Sequence, residues 1–254
     1  MNLISRLFKI IFSIYAILAF IITFIIVVPC YFFIFNFYST EKAPHLAHNL
    51  SRSWAYFLLI ILFIRVKVAN KHFINKDVAY IFISNHLSQL DILVAAVSSK
   101  NTFRFLAKAE LTKIPIIGYV IRNLYVSVQR KNQTDRTKSV DTLRNSIYDG
   151  ISVFLYPEGT RNKSEEKLLN LYDGAFKLAI ETQAPLAILI CYNSNKLLSP
   201  KYHLNLSPGT IYAEWSEPII TKGLTMDDLS VLKEKARNII IDNLNKYERK
   251  HNKM

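Results

Sequence analysis

Residues 81–91 read Ile81-Phe82-Ile83-Ser84-Asn85-His86-Leu87-Ser88-Gln89-Leu90-Asp91. An apolar run that ends at Ser84 has the composition of a buried strand, and the polar cluster behind it opens a helix. The carboxyl end of a strand is where an open α/β sheet presents its functional side chains. In this reading His86 sits in the strand-to-helix turn with its imidazole free. Asp91 follows in the first helical turn, where the chain can fold back and bring its carboxylate to an imidazole nitrogen. That contact fixes the tautomer and stabilises the imidazolium left after proton abstraction. Ser88-x-x-Asp91 equally fits a capping box, in which the acid satisfies helix-end donors. Both readings stay open at this point.

Working outward, a second strand exit of the same kind is Val153-Phe-Leu-Tyr156-Pro157-Glu158-Gly159-Thr160-Arg161. Pro157 stops strand pairing, and Gly159 permits a positive φ or a close backbone approach. Glu158 can accept hydrogen bonds or hold a cation, and Arg161 offers a planar fork suited to phosphate. From Val66 onward, short β-branched runs alternate with amphipathic stretches, which predicts an α/β domain. Strands are expected at 79–84, 103–107, 124–128, 151–156, 185–192 and 209–215. Helices are expected near 88–99, 134–149, 173–182 and 225–247. The fold class is therefore α/β, a mixed and mostly parallel sheet flanked by helices.

A different texture precedes that domain. Residues 1–40 hold only two charges, Arg6 and Lys9, and 31 residues from Ile10 to Thr40 carry none. As one helix they would reach about 46 Å, against about 30 Å of bilayer hydrocarbon. Pro29 is expected to kink or split this helix. The apolar stretch Ser53–Ile64 is too short to span alone and reads as interfacial or re-entrant. Arg6 and Lys9 lie before this region, with Lys42, Arg52, Arg65 and Lys67 behind, so the positive-inside rule puts both flanks in the cytoplasm. The expected division is 1–65, an N-terminal hydrophobic two-helix membrane-associating segment, and 66–254, the catalytic domain. The site would then sit on the cytoplasmic side of an inner membrane.

Composition agrees with a membrane setting. The 254 residues are 51% hydrophobic and 20% charged, with 32 Lys and Arg against 19 Asp and Glu, a net charge of +13. Residues 41–254 alone carry +11, so the folded part favours anionic partners. Two cysteines exclude a disulfide scaffold. Cys191 falls in a β run and reads as core.

Asn85-His86-x-Ser88-x-x-Asp91, followed some seventy residues later by Tyr156-Pro-Glu-Gly-Thr-Arg161, resembles the glycerolipid acyltransferase family, most of all its 1-acylglycerol-3-phosphate acyltransferases. The similarity continues through Ala107-Lys108-Ala109-Glu110-Leu111 with Pro115 and Gly118. Further on it takes in Gly174-Ala175-Phe176, Ala184-Pro185-Leu186 and Ser216-Glu217-Pro218-Ile219, about residues 65–245 in all. The chain departs from the family where Leu124-Tyr-Val-Ser127-Val-Gln-Arg130 replaces Gly-x-x-Phe-x-x-Arg. It departs again at Tyr172-Asp173, where lysines usually precede Gly-Ala-Phe, and at Ile188, where a second proline is usual.

The resemblance implies transfer of a fatty acyl group from acyl-CoA or acyl carrier protein to a lysophospholipid acceptor at the bilayer. The acceptor would be 1-acylglycerol-3-phosphate or another lysolipid. His86 would be the general base, held by Asp91, with no acyl-enzyme, so Ser88 and Cys191 need not act as nucleophiles. Backbone N–H groups around Gly159 would meet the oxyanion. Arg161, Arg130 and Lys108 would grip the phosphate, while Glu158 would hold the glycerol hydroxyl or orient Arg161, with Thr160 beside them. No cofactor is expected, because thioester transfer needs no Lewis acid. His45 and His48, three apart, lack a third ligand of matching spacing. His72, His203 and His251 look incidental. No nucleic acid is expected, since no recognition motif accompanies the basic charge.

Overall fold

The computed structural model of the chain describes residues 3–129, 132–202 and 204–251, so Arg130 and His203 lie outside the described residues. Two antiparallel helices come first, α1 (Leu3–Phe37) and α2 (Ala43–Ile61), and the chain then enters β1 (Ile64–Ala69). The sequence reading carried the apolar run through Ile64. In the structure the helix stops at Ile61, and Phe63 turns the chain with φ 51°. Pro29 does not split α1, which is assigned as one helix around it.

The rest alternates β2 (Ile81–Ser84), α3 (Asp91–Ser98), β3 (Phe103–Lys108), α4 (Ile117–Leu124), β4 (Val126–Val128), α5 (Gln133–Tyr148), β5 (Ser152–Leu155), α6 (Gly174–Thr182), β6 (Leu186–Cys191), α7 (Ser194–Leu197), β7 (Gly209–Trp215) and α8 (Leu229–His251). The helices α4 and α7 and the strand β1 were not anticipated from sequence. The helices are short and carry too little repeat to be seen alone, whereas β1 is as long as β3 and alternates Ile64-Arg65-Val66-Lys67-Val68, a period that the division at residue 65 cuts in two.

The seven strands form one sheet in the order β1-β7-β6-β2-β5-β3-β4, parallel throughout except for the β6–β7 pair. Alternation along each strand feeds two cores. Phe82, Phe154 and Leu189 face one way, into a cluster with Ala55 and Leu59 of α2, Val94 of α3 and Ala16 of α1. Ile81, Ile83, Val153, Leu155 and Ile188 face the other way, against α5, α6 and α8. Burying one such side chain contributes about 1.5–3 kcal/mol, which fixes the register because a slip of one residue would expose the whole set. A third, smaller cluster joins Phe24 and Tyr31 of α1 to Ala47 of α2 and Val120 and Leu124 of α4.

This topology makes a crevice at the centre. Neighbouring β2 and β5 run parallel, yet the helix after β2 packs on the first face and the helix after β5 on the second. Chains that leave adjacent strands towards opposite faces open a gap at their carboxyl ends.

Candidate active site

Both polar strand exits meet at that gap. Register Ile83↔Leu155 brings the turn after Ser84 level with the turn after Leu155. The backbone N–H of His86 donates to Glu158 Oε1 at 2.7 Å, and the N–H of Asn162 donates to the His86 carbonyl at 2.7 Å. The His86 loop is thus held to the second turn on both sides. On the β6 side, Asn85 extends the sheet with its side chain. Its Nδ2 donates to the Cys191 carbonyl and its Oδ1 accepts from the Cys191 N–H, both at 2.8 Å.

His86 Nδ1 lies 2.9 Å from Asp91 Oδ2. The same carboxylate oxygen accepts from the N–H groups of Leu87 and Ser88, each at 2.7 Å. No side chain caps α3, which begins at Asp91 itself; the two backbone donors belong to the loop before it, so one oxygen of the acid holds that loop and meets the imidazole as well. Asp91 Oδ1 accepts from the Ser194 hydroxyl, at the exit of β6. Four donors surround the acid, whose side chain is fully buried, while the His86 side chain keeps 15% of its surface. A carboxylate that only accepts puts the hydrogen on Nδ1 and leaves the Nε2 lone pair unspent. The Tyr156 ring stacks on the imidazole at 4.0 Å with an interplanar angle of 22°. Its buried hydroxyl has no hydrogen-bond partner among the described residues.

The remaining candidates are arranged as follows. Glu158 is buried and uses both oxygens on backbone, accepting from the Leu169 N–H at 2.9 Å as well as from His86. Burial pushes its carboxyl up, and the two backbone donors offset part of that rise. Gly159 takes φ 66°, the left-handed conformation its sequence position anticipated, and its N–H closes the turn on the Tyr156 carbonyl at 2.9 Å. That N–H is therefore engaged within the turn. Thr160 is exposed, and Arg161 is half-buried with no hydrogen bond or ion pair among the described residues. Lys108 ends β3 on the same edge, exposed and 3.4 Å from Glu110. Cys191 is fully buried, and burial pushes its thiol up, which keeps the nucleophilic thiolate scarce. Tyr172 is exposed, and Asp173 pairs with Lys233 at 2.8 Å, so this departure from the usual lysines is tied down by a lysine from α8.

Sequence reasoning missed Ser194 and the stacking face of Tyr156. Ser194 lies 103 positions from Asp91. Its one local signal is a polar turn after a buried strand, the same signature as the other two exits. His45 and His48 belong to the helical hairpin instead: His45 Nδ1 meets Thr102 Oγ1 at 2.8 Å, and His48 packs edge-on against Phe103 at 4.3 Å.

Comparison with known proteins bears on the same segment. A family model described as Acyltransferase matches residues 65–191, half of the chain. A 1-acyl-sn-glycerol-3-phosphate acyltransferase of Saccharomyces cerevisiae is 29% identical over 209 residues, 79% of this chain and 67% of the yeast protein. The 1-acyl-sn-glycerol-3-phosphate acyltransferase alpha of Mus musculus is 28% identical over 180 residues, 70% of this chain and 63% of its own. The chain thus spans about two thirds of the length of these curated relatives. The crystal structure of the 1-acyl-sn-glycerophosphate (LPA) acyltransferase PlsC from Thermotoga maritima superposes with a TM-score of 0.78 at 23% identity, over 98% of either chain, so the two share a fold.

Proposed function

This chain belongs to the acyltransferase family, and from that premise we propose that it acylates the sn-2 hydroxyl of 1-acylglycerol-3-phosphate to give phosphatidic acid. The donor is an acyl thioester, acyl-CoA or acylated carrier protein. The observation that most supports this reading is the 2.9 Å contact between His86 and Asp91 beside the Glu158–Arg161 turn.

In this mechanism the acceptor hydroxyl approaches Nε2 of His86. An alcohol is a poor nucleophile at neutral pH, so Nε2 takes its proton as the oxygen bonds to the thioester carbon. Asp91 stabilises the imidazolium formed. The tetrahedral intermediate collapses, the carbon–sulfur bond breaks, and His86 returns the proton to the departing thiolate. Arg161 grips the acceptor phosphate, with Lys108 and Arg130 contributing charge and Thr160 at the tip of the turn lining the approach. Glu158 acts through His86, whose N–H it holds, so its service to the reaction is to fix the loop. We further propose that residues 1–65 seat the enzyme at the bilayer with its site on the cytoplasmic side, where lysolipid head groups lie. The length and apolar surface of α1 support that placement.

Full-length protein in detergent, given labelled donor and a panel of lysolipids, tests the substrate. Preference for lysophosphatidate supports the reading, and equal or better use of lysolipids with substituted head groups would replace it with a same-family activity. His86→Ala is expected to lower the rate by about 10²–10⁴-fold, the usual cost of losing a general base. Unchanged transfer would remove His86 from the chemistry.

A further inference from the structure

We infer that Ser194 is a positioning residue for this reaction, its hydroxyl locking the Asp91 carboxylate so that Oδ2 stays aimed at His86; the inference rests on the dyad mechanism proposed above. Ser194 is completely buried at the exit of β6, and its Oγ donates to Asp91 Oδ1. The other oxygen, Oδ2, is held by His86, Leu87 and Ser88. A carboxylate anchored at one oxygen can still swing about its Cβ–Cγ bond. An anchor on the second oxygen, from a different segment of chain, removes that freedom.

The segment carrying Ser194 is itself well fixed. Asn193 donates to the Thr210 carbonyl at 2.8 Å and accepts from the Tyr212 N–H at 2.9 Å, which ties the turn to β7. Asn85 binds Cys191 on both sides, and Ser88 Oγ donates to the Leu198 carbonyl at 2.8 Å. The β6 exit and the His86 loop are thus braced at three points, and the Ser194–Asp91 bond is the one that reaches the reacting pair. Its donor also spreads the charge of the carboxylate. Without it, that charge concentrates on the oxygen facing His86 and holds the imidazolium proton more tightly.

Ser194→Ala in the full-length protein tests this, assayed with long-chain acyl-CoA and 1-acylglycerol-3-phosphate. The kcat should fall about tenfold, the low end for losing a hydrogen bond to a charged group, with KM for the acceptor within about twofold. The acid limb of the kcat profile should move to higher pH. The titratable groups facing the dyad, Glu158 and Tyr156 after β5 and Cys191 on β6, are unchanged in the variant. A role in folding alone would lower Tm without moving that limb. Ser194→Thr, which keeps the hydroxyl, should restore kcat to within about twofold. If Ser194→Ala lowers Tm too far for assay, Ser194→Cys fills the volume with a weaker donor and should give the same pattern. Native kcat and an unmoved acid limb in these variants, with His86→Ala inactive, would overturn the inference and leave the dyad standing. Activity in His86→Ala would overturn the dyad itself.

Discussion

Asp91 carries two jobs that usually fall to separate residues. Its Oδ2 receives the backbone donors of the turn and the imidazole together, so the contact that folds the loop before α3 also orients the His86 ring. Folding energy and chemical orientation are drawn from the same contact. Glu158 works similarly, with both oxygens on backbone. Because burial raises its carboxyl, the fold favours its neutral form. Its contribution to stability is largest at acid pH and declines as pH rises through the raised value. Tyr156 offers a cleaner test. Its ring covers one face of the imidazole while its buried hydroxyl has no partner among the described residues. Tyr156→Phe keeps the stacking and removes an unsatisfied group, so thermal unfolding should show a gain of about 1 kcal/mol with the acyl-transfer rate retained.

Among the elements, the sheet builds the site by sending two adjacent strand exits to opposite faces. No single element holds the proposed machinery: β2 leads to His86, α3 brings Asp91, the β5 exit brings Glu158 and Arg161, and the β6 exit brings Ser194. The turn into α4 shows how tightly such connections close. A Cβ on Gly118 would come within 2.1 Å of the Thr112 carbonyl oxygen, so only glycine fits there. The helix α2 makes the sheet sensitive to acid. His48, buried against Phe103, is pushed down to about 3 by burial, then by the charges of Arg52 and His45. Below an ordinary histidine value of about 6.5 the unfolded chain takes up a proton that the fold refuses. Stability is therefore lost as pH falls from about 6.5 towards 3, at up to about 1.4 kcal/mol per pH unit. In denaturant titrations at pH 7, 6 and 5, His48→Leu should flatten that slope.

At the scale of the whole molecule, a cationic α/β domain is fused to an apolar helix that belongs partly to its core. Ser13 of α1 accepts from the Leu206 N–H at 2.9 Å, Trp54 of α2 donates to Thr23 at 3.0 Å, and Tyr31 meets Ser51 at 2.7 Å. One stripe of α1 is thereby fixed to the domain through Ser13 and to α2 through Thr23 and Tyr31, while Ile22 and Ile26 lie 58% and 66% exposed on the other side. A lysine near the centre of a bilayer helix costs about 2.5–3.5 kcal/mol. Ile22→Lys with Ile26→Lys should therefore reduce co-sedimentation with phospholipid vesicles sharply while leaving the soluble-phase circular dichroism unchanged. Full vesicle binding by the double variant would mean that this face of α1 does not enter hydrocarbon.

Local chemistry explains what could be read in advance. Strand-exit turns, the left-handed Gly159, the apolar run of α1 and the order of the long strands and helices follow from side-chain type and period, properties a short window of chain already contains. The pairing of His86 with Asp91 was legible for the same reason, since the two lie five positions apart on one turn. Tertiary structure alone decided the rest. Reversal of β7 against β6, the commitment of Glu158 to the His86 N–H and the arrival of Ser194 at the far oxygen of Asp91 all depend on contacts between segments that no local pattern joins. Such contacts form only when burial of two opposed cores fixes the strand order, and no local pattern encodes which remote hydroxyl that order will deliver.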